Sequence, residues 1–278
     1  MKNHVPTVAF LGDLTADVYK SQNTVKLGGA ALNSAIWAKR LGANPIIFSA
    51  AGDDAMGVRF IKEMGKRELD GSSVKVIKGE TSSIEIFVNG SGERQYGVWK
   101  PGVLPEYHID ETDSKKLKHA DAVCVTIYPQ YFHVLYELRR VKPRANNRKK
   151  PFVVVNFGDM KEFHDDVTMV RDSMGGVDML VFGLDKDRDE AMINTLKDVV
   201  PKEKLLLITL GSSGSVAWYR GIYYAEPSLD VTVKDTTGAG DAYLVGFLLS
   251  FLASKNIQTS LHAGSRQASQ VIQKIGTY

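Results

Sequence analysis

The chain has 278 residues, enough for one large α/β domain with a small appendage. Hydrophobic residues make up 44% and charged residues 24%, a globular balance that excludes a disordered or low-complexity chain. A net charge of +3 is too slight to mark a nucleic-acid binder, though a mildly positive cleft would suit an anionic small molecule.

Taken in chain order, the first apolar run, Thr7–Leu11, reads as a strand, and at about five residues it is too short for the core of a signal peptide. Residues 13–27 are polar with scattered β-branched positions. An amphipathic helix follows at Ala30–Leu41, then a strand at Pro45–Ala50 and a helix at Val58–Arg67. Residues 81–99 alternate apolar and polar positions around Asn89-Gly90-Ser91-Gly92, a hairpin signature. With residues 13–27, this hairpin could build a small β lid over the main domain, or it could be an ordinary surface hairpin.

Ala122–Ile127 reads as a buried strand. It holds the single cysteine, Cys124, which has no internal disulfide partner and so points to a reducing compartment. A helix at Gln130–Val141 leads into Arg139–Lys150, where seven Lys/Arg fall in twelve residues; Pro143, two Asn and no aromatic make it a solvated loop. Strands at Phe152–Asn156, Met179–Phe182 and Leu205–Leu210 flank a helix at Asp189–Val200, and Gly211–Gly214 turns into a further strand, Ser215–Tyr219. Val231–Val233 reads as a β-type approach to a glycine turn, and the helix Ala242–Ala253 follows. At twelve residues it falls short of the roughly 20 that span a bilayer, so a cytoplasmic location is expected. The six histidines (4, 108, 119, 133, 164, 262) show neither metal-ligand spacing nor a paired cysteine, which leaves zinc unsupported.

Short apolar strands alternating with helices imply an α/β fold, a doubly wound and mostly parallel sheet with helices on both faces. Ligands in such sheets bind beyond the carboxyl ends of the strands. There the strongest local signal is Thr237-Gly238-Ala239-Gly240-Asp241. The first amides of a helix lack internal partners and carry the positive end of its dipole. Small residues let a phosphoryl group approach them, so Gly238, Ala239 and Gly240 can form an anion hole. Asp241 at its mouth can accept the proton of an attacking hydroxyl; as a plain N-terminal cap it would contribute only about 1 kcal/mol. No Gly-x-Gly-x-x-Gly follows the first strand, where residues 12–17 read GDLTAD, so a dinucleotide site is not expected.

The heptapeptide Asp235–Asp241, DTTGAGD, resembles the C-terminal signature of the PfkB, or ribokinase-like, carbohydrate kinases. Gly28-Gly29 with Asn33 resembles their N-terminal signature. Gly12-Asp13 with Asp17, the run Gly52–Gly57 and Thr209-Leu210-Gly211 with Gly214 fall in the family's order, over about residues 5 to 275. The resemblance implies a single ribokinase-like domain over 1–278, with a β lid from about 13–27 and 81–103. It implies Asp241 as general base and Asp17, Gly28, Gly29 and Asn33 as sugar-binding residues. Thr209, Gly211 and Gly214 would lie beside the nucleotide, with the segment after Val233 and the final helix around His262–Ser269 lining the adenine pocket. Magnesium is implied with ATP, Glu190 holding it through water; Asp187 stands where the family's metal motif usually has Asn. Asp235 matches one position of a potassium site used by some members, whose C-terminal part is hard to find before Tyr278. Lid residues Glu85, Arg94 and Tyr96 are candidates for substrate contact.

Stretches such as ITLGSSGSVAW and QYGVWKPGV are similar to the fructoselysine, or fructosamine, 6-kinase branch, which phosphorylates a primary hydroxyl of a sugar–amine adduct. Fructose and ribose kinases share every catalytic residue. A nucleoside kinase and a non-catalytic sugar or nucleotide sensor remain the alternatives. The expected partners are a sugar and ATP, with neither nucleic acid nor membrane, and relatives that pair through their lids suggest a homodimer.

Overall fold

A computed structural model describes residues 4–88, 94–141, 150–274 and 276. Thirteen strands and eight helices are assigned among them. The strands are β1 (Thr7–Leu11), β2 (Thr15–Tyr19), β3 (Thr24–Gly28), β4 (Asn44–Gly52), β5 (Asp70–Ile77), β6 (Ser83–Val88), β7 (Arg94–Lys100), β8 (Ala122–Thr126), β9 (Phe152–Gly158), β10 (Met179–Gly183), β11 (Leu205–Thr209), β12 (Ser215–Tyr219) and β13 (Ile222–Glu226). The helices are α1 (Ala30–Arg40), α2 (Ala55–Lys66), α3 (Glu111–Leu117), α4 (His133–Arg140), α5 (Val167–Ser173), α6 (Glu190–Val199), α7 (Ala239–Ser254) and α8 (Ile257–Ile272).

Nine strands form one sheet in the order β13-β12-β11-β10-β9-β8-β1-β4-β5. Pairings from β11 through to β5 are parallel, and β12 and β13 add an antiparallel edge. The period-2 alternation of strand side chains divides the core. Val8, Phe10, Cys124, Val154, Val181 and Leu207 face one layer with α1, α7 and α8, whereas Ala9, Leu11, Val123, Val155, Phe182 and Ile208 face the other with α4, α5 and α6. Because both faces are covered, the strands read as unbroken apolar runs. From β1 the chain moves outward through β4 to β5, then returns to β8 on the other side of β1 and continues to β11. The order therefore reverses between β1 and β8, where a doubly wound sheet opens a crevice at its carboxyl edge.

A second sheet, β3-β2-β6-β7, is built from the two irregular regions of the sequence. Its β2 and β6 run parallel while both outer pairings are antiparallel. The turn Asn89–Gly92 lies outside the described residues, as do the side chains of Arg94 and Tyr96 and positions 142–149 of the basic stretch.

Two local expectations need correction. Val231–Val233 forms no strand; it lies in the loop between β13 and α7, with Val233 exposed, because no neighbouring edge pairs with its β-branched residues. Helix α7 begins at Ala239, one turn before Ala242. Gly238 precedes it with φ +77°, a left-handed conformation that glycine adopts without penalty. Apolar on all sides, α7 is buried between α1 and α8. Among the described residues no helix is long and apolar enough to cross a membrane.

Candidate active site

The site is assembled around Asp13, just past the end of β1 at the reversal point. Its carboxylate is buried and accepts the Ala30 amide (2.9 Å) and the Tyr128 hydroxyl (2.8 Å), and it is also bonded by the Thr15 hydroxyl. The Ala30 bond caps α1, and Tyr128 follows β8, so one carboxylate ties both strands of the crevice to the helix that carries Asn33. Gly29 joins β3 to α1 at φ +96° and ψ 146°, which is glycine territory. A Cβ there would sit 2.4 Å from the Asp13 carbonyl oxygen and 2.6 Å from the Thr15 nitrogen. That close approach lets α1 start against the end of β1.

Asn33 is not a helix cap. It sits one turn inside α1, buried, and its Nδ2 donates to Asp241 Oδ2 at 2.9 Å. Its Oδ1 is buried with no hydrogen-bond partner among the described residues. A buried amide oxygen without a donor costs about 1–3 kcal/mol, so it is a ready acceptor for a ligand hydroxyl. Asp17, in the middle of β2, is buried, and a Cβ placed on Gly28 would lie 3.2 Å from its Oδ2. Asp17, Gly28, Gly29 and Asn33 thus come together where the small sheet meets α1.

Asp241 stands in the first turn of α7. Removal from water raises its carboxyl to about pH 7, further helped by the charge of Asp13 and opposed by the Asn33 bond. A carboxyl poised there is half ionised near neutrality, which suits proton transfer. Beside it, the Ala239 amide donates to Thr236 O at 3.1 Å, while those of Gly238, Gly240 and Asp241 take no acceptor among the described residues. The donors open to an anion therefore straddle Ala239 and extend one residue into the helix.

On the far side of this turn lies a cavity of about 670 Å³. Thr209, Gly211 and Gly214 line it from the β11–β12 turn, Val231 and Val233 from the loop before α7, Ala239 and Gly240 from the helix head, and Ser265, Ala268 and Ser269 from α8. The residues expected beside the phosphates and those expected around adenine thus share one space. Buried Tyr243 of α7 also lines it and bonds Ser215 at 2.6 Å.

The expected metal residues are less concentrated. Glu190 is the exposed first residue of α6. Asp187 is exposed too, and its amide donates to Asp185 (3.1 Å). Buried Asp189 is held by Arg188 Nε (2.9 Å) and Nη2 (2.6 Å), which keeps its carboxyl down at about 2. Buried Asp235 accepts the amides of Thr237 (3.0 Å) and Gly276 (2.7 Å), tying the glycine loop to the end of the chain.

Four residues the sequence did not single out join the site: Tyr128, Trp99, Ser82 and Thr15. Tyr128 bonds Asp13. Trp99 of β7 packs against Tyr128 at a tilt of 34°, with ring centroids 4.6 Å apart, and donates from Nε1 to Ser82 (2.9 Å), which in turn bonds Thr15 (2.7 Å). Nothing local marks a single Tyr or Trp as part of a site. Of the lid candidates, Glu85 pairs with Lys20 at 3.2 Å.

A mostly parallel sheet whose order reverses between β1 and β8, with open amides at a helix head and a second small sheet, makes a ribokinase-like fold. The sequence pattern of the pfkB family carbohydrate kinases matches residues 6–278, and the chain belongs to that family: it is an ATP-dependent carbohydrate kinase. It is 26% identical to the fructoselysine 6-kinase of Escherichia coli (strain K12), over 98% of this chain and 99% of that one. An adenosine kinase structure from Sinorhizobium meliloti shares the fold with a TM-score of 0.82 at 19% identity, covering 99% and 96% of the two chains. A ribokinase from Arabidopsis thaliana, solved with ribose and ATP, does so with a TM-score of 0.77 at 18% identity, covering 98% and 94%.

Proposed function

We propose that this kinase phosphorylates a primary hydroxyl of a sugar–amine adduct of the fructoselysine type, with Asp241 as the base. The observation that carries the reading is the position of Asp241: its neighbours Ala239 and Gly240 line the nucleotide cavity, while its own carboxylate is bonded by Asn33 from the opposite side. The acceptor hydroxyl gives its proton to Asp241 as its oxygen bonds the γ-phosphorus. The bond from that phosphorus to the β–γ bridging oxygen breaks, and ADP departs. Open amides at the head of α7 stabilise the charge on the transferring oxygens.

Magnesium accompanies the nucleotide: exposed Glu190 at the head of α6 fits a hard cation held through water, and the metal would neutralise phosphate charge. Asp235 remains the candidate for one position of a potassium site: each of its oxygens accepts a backbone amide, and a carboxylate oxygen has a second lone pair that can face a cation. The four-stranded sheet serves as the lid. Its exposed Val98 and Phe87 support pairing of two chains through that face.

An ADP-release screen with Mg-ATP across fructoselysine, fructose, ribose, tagatose and nucleosides tests the substrate. Fructoselysine should give the highest kcat/KM. The second reading, a nucleoside kinase, draws on the Trp99–Tyr128 aromatic pair beside Asp13 as a surface for a base, and turnover of nucleosides alone would establish it.

Asp17→Ala should weaken sugar binding at least about tenfold in calorimetry, because it removes a charged acceptor for hydroxyls, and leave ATP affinity unchanged. Equal sugar affinity would move the pocket elsewhere. Gly240→Ala adds a methyl that meets nothing within 4 Å in the free protein, so the fold should hold or gain up to about 1 kcal/mol. If phosphate lodges against this turn, turnover nevertheless falls by at least about tenfold as the methyl crowds it. Unchanged kinetics would place the anion hole elsewhere.

A further inference from the structure

We infer that the protein carries a transition-metal site, remote in chemistry from the phosphotransfer machinery, formed by His108, His133 and Glu137. His108 lies in the segment that leaves β7 and leads to α3, while His133 and Glu137 stand four residues apart at the start of α4. That spacing puts both on one face of the helix. The ligand atoms of the three residues all lie within 4.8 Å of one another. His108 Nδ1 and Glu137 Oε1 are already 2.6 Å apart, and the two imidazoles face each other with centroids 4.9 Å apart.

What lifts the cluster above a chance meeting of side chains is the way two of its members are held from behind. His133 Nε2 is 2.9 Å from the Tyr107 carbonyl oxygen, which can only accept. The proton must therefore sit on Nε2, leaving the Nδ1 lone pair free for a metal. Glu137 Oε2 accepts the Ile109 amide at 2.8 Å, which orients Oε1 toward His108. A carbonyl behind a histidine and an amide behind a carboxylate are the outer partners that ligating side chains ordinarily have.

Zinc bonds nitrogen and oxygen at about 2.0–2.2 Å, so its tetrahedral ligands lie about 3.3 Å apart. Parting the His108–Glu137 pair by less than about 1 Å and drawing His133 inward would satisfy this, with water in the fourth position. Two imidazoles and a carboxylate select zinc, nickel, copper or cobalt over magnesium. Lys75, whose ammonium bonds the His108 carbonyl, has its charge matched by Asp110 (3.1 Å) and Asp113 (3.3 Å). A bound ion would fasten the segment leaving the small sheet to α4, whose preceding turn holds Tyr128 against Asp13.

Tag-free, chelator-treated full-length protein titrated with Zn2+ in a calorimeter tests the site, with Co2+ absorption as the spectroscopic readout. One saturable site is expected, with the cobalt bands of a four-coordinate nitrogen and oxygen environment and a rise in Tm on adding Zn2+. His108→Ala, an exposed change that leaves the fold intact, should weaken Zn2+ at least about tenfold and abolish the Tm rise, as should Glu137→Gln. Absence of saturable binding, or binding unchanged in both variants, would overturn the assignment. Mg-ATP turnover of metal-free His108→Ala should equal that of metal-free wild type, separating this site from the active site.

Discussion

Replacing Asp241 by Asn is expected to lower kcat at least about 100-fold while leaving the affinities for nucleotide and sugar nearly intact. The amide is isosteric, and its Oδ1 can still accept from Asn33, so the loss isolates proton acceptance. The same base imposes a pH dependence. With its carboxyl raised to about pH 7, wild-type kcat/KM should fall tenfold per unit as pH drops below that value and level off above it. Stability moves in the opposite direction. A carboxyl whose folded pKa lies above its unfolded value binds more protons when folded, so stability declines as pH rises from about 4 to about 7 and stays low beyond. Asp241→Asn relieves this penalty, and its Tm should exceed that of wild type by more at pH 8 than at pH 4. Near-normal turnover, or a pH profile shared with the variant, would remove Asp241 from the role.

Gly29→Ala is expected to disrupt both the fold and the site. Its backbone, at φ +96° and ψ 146°, is nearly closed to other residues, and the new Cβ would press on the Asp13 carbonyl and the Thr15 amide, neither of which is the end of a flexible side chain. Strain of this kind costs about 1–3 kcal/mol and the clash about as much again, so urea unfolding should show a loss of at least about 2 kcal/mol. The consequences reach the chemistry, because the Asp13–Ala30 cap and the Asn33–Asp241 bond both depend on where α1 begins. Any folded fraction should turn over slowly. A variant as stable and active as wild type would show that this turn does not set the geometry of the site.

The two signatures were legible because each is contiguous in the chain: Gly28-Gly29 with Asn33 is one strand-to-helix turn, and Asp235–Asp241 is one loop and a helix head. The residues that join them were not. Tyr128 and Trp99 are single aromatics 29 positions apart, and only the meeting of the small sheet with the end of β8 brings them together beside Asp13. Asn33 reads as a pocket residue from its place in the signature; its bond to Asp241, 208 residues away, needs α1 packed on α7. The sequence set His108 and His133 aside as metal ligands for the same reason, their spacing of 25 having no local meaning. Val231–Val233 misled because β-branched residues look alike in a strand and in a loop until a partner edge is present or absent.

Alone, the sequence determined the alternation of strands and helices, the mostly parallel sheet and the glycine loop at a helix head, since those follow from periodicity and backbone chemistry within a few residues. The tertiary structure decided which side chains share a space and how strongly each holds its proton. Asp241 is a neutral-range carboxyl only because the packed crevice strips it of water and sets it near Asp13. Proton affinity and ligand geometry depend on distance through space, and the fold alone sets that distance.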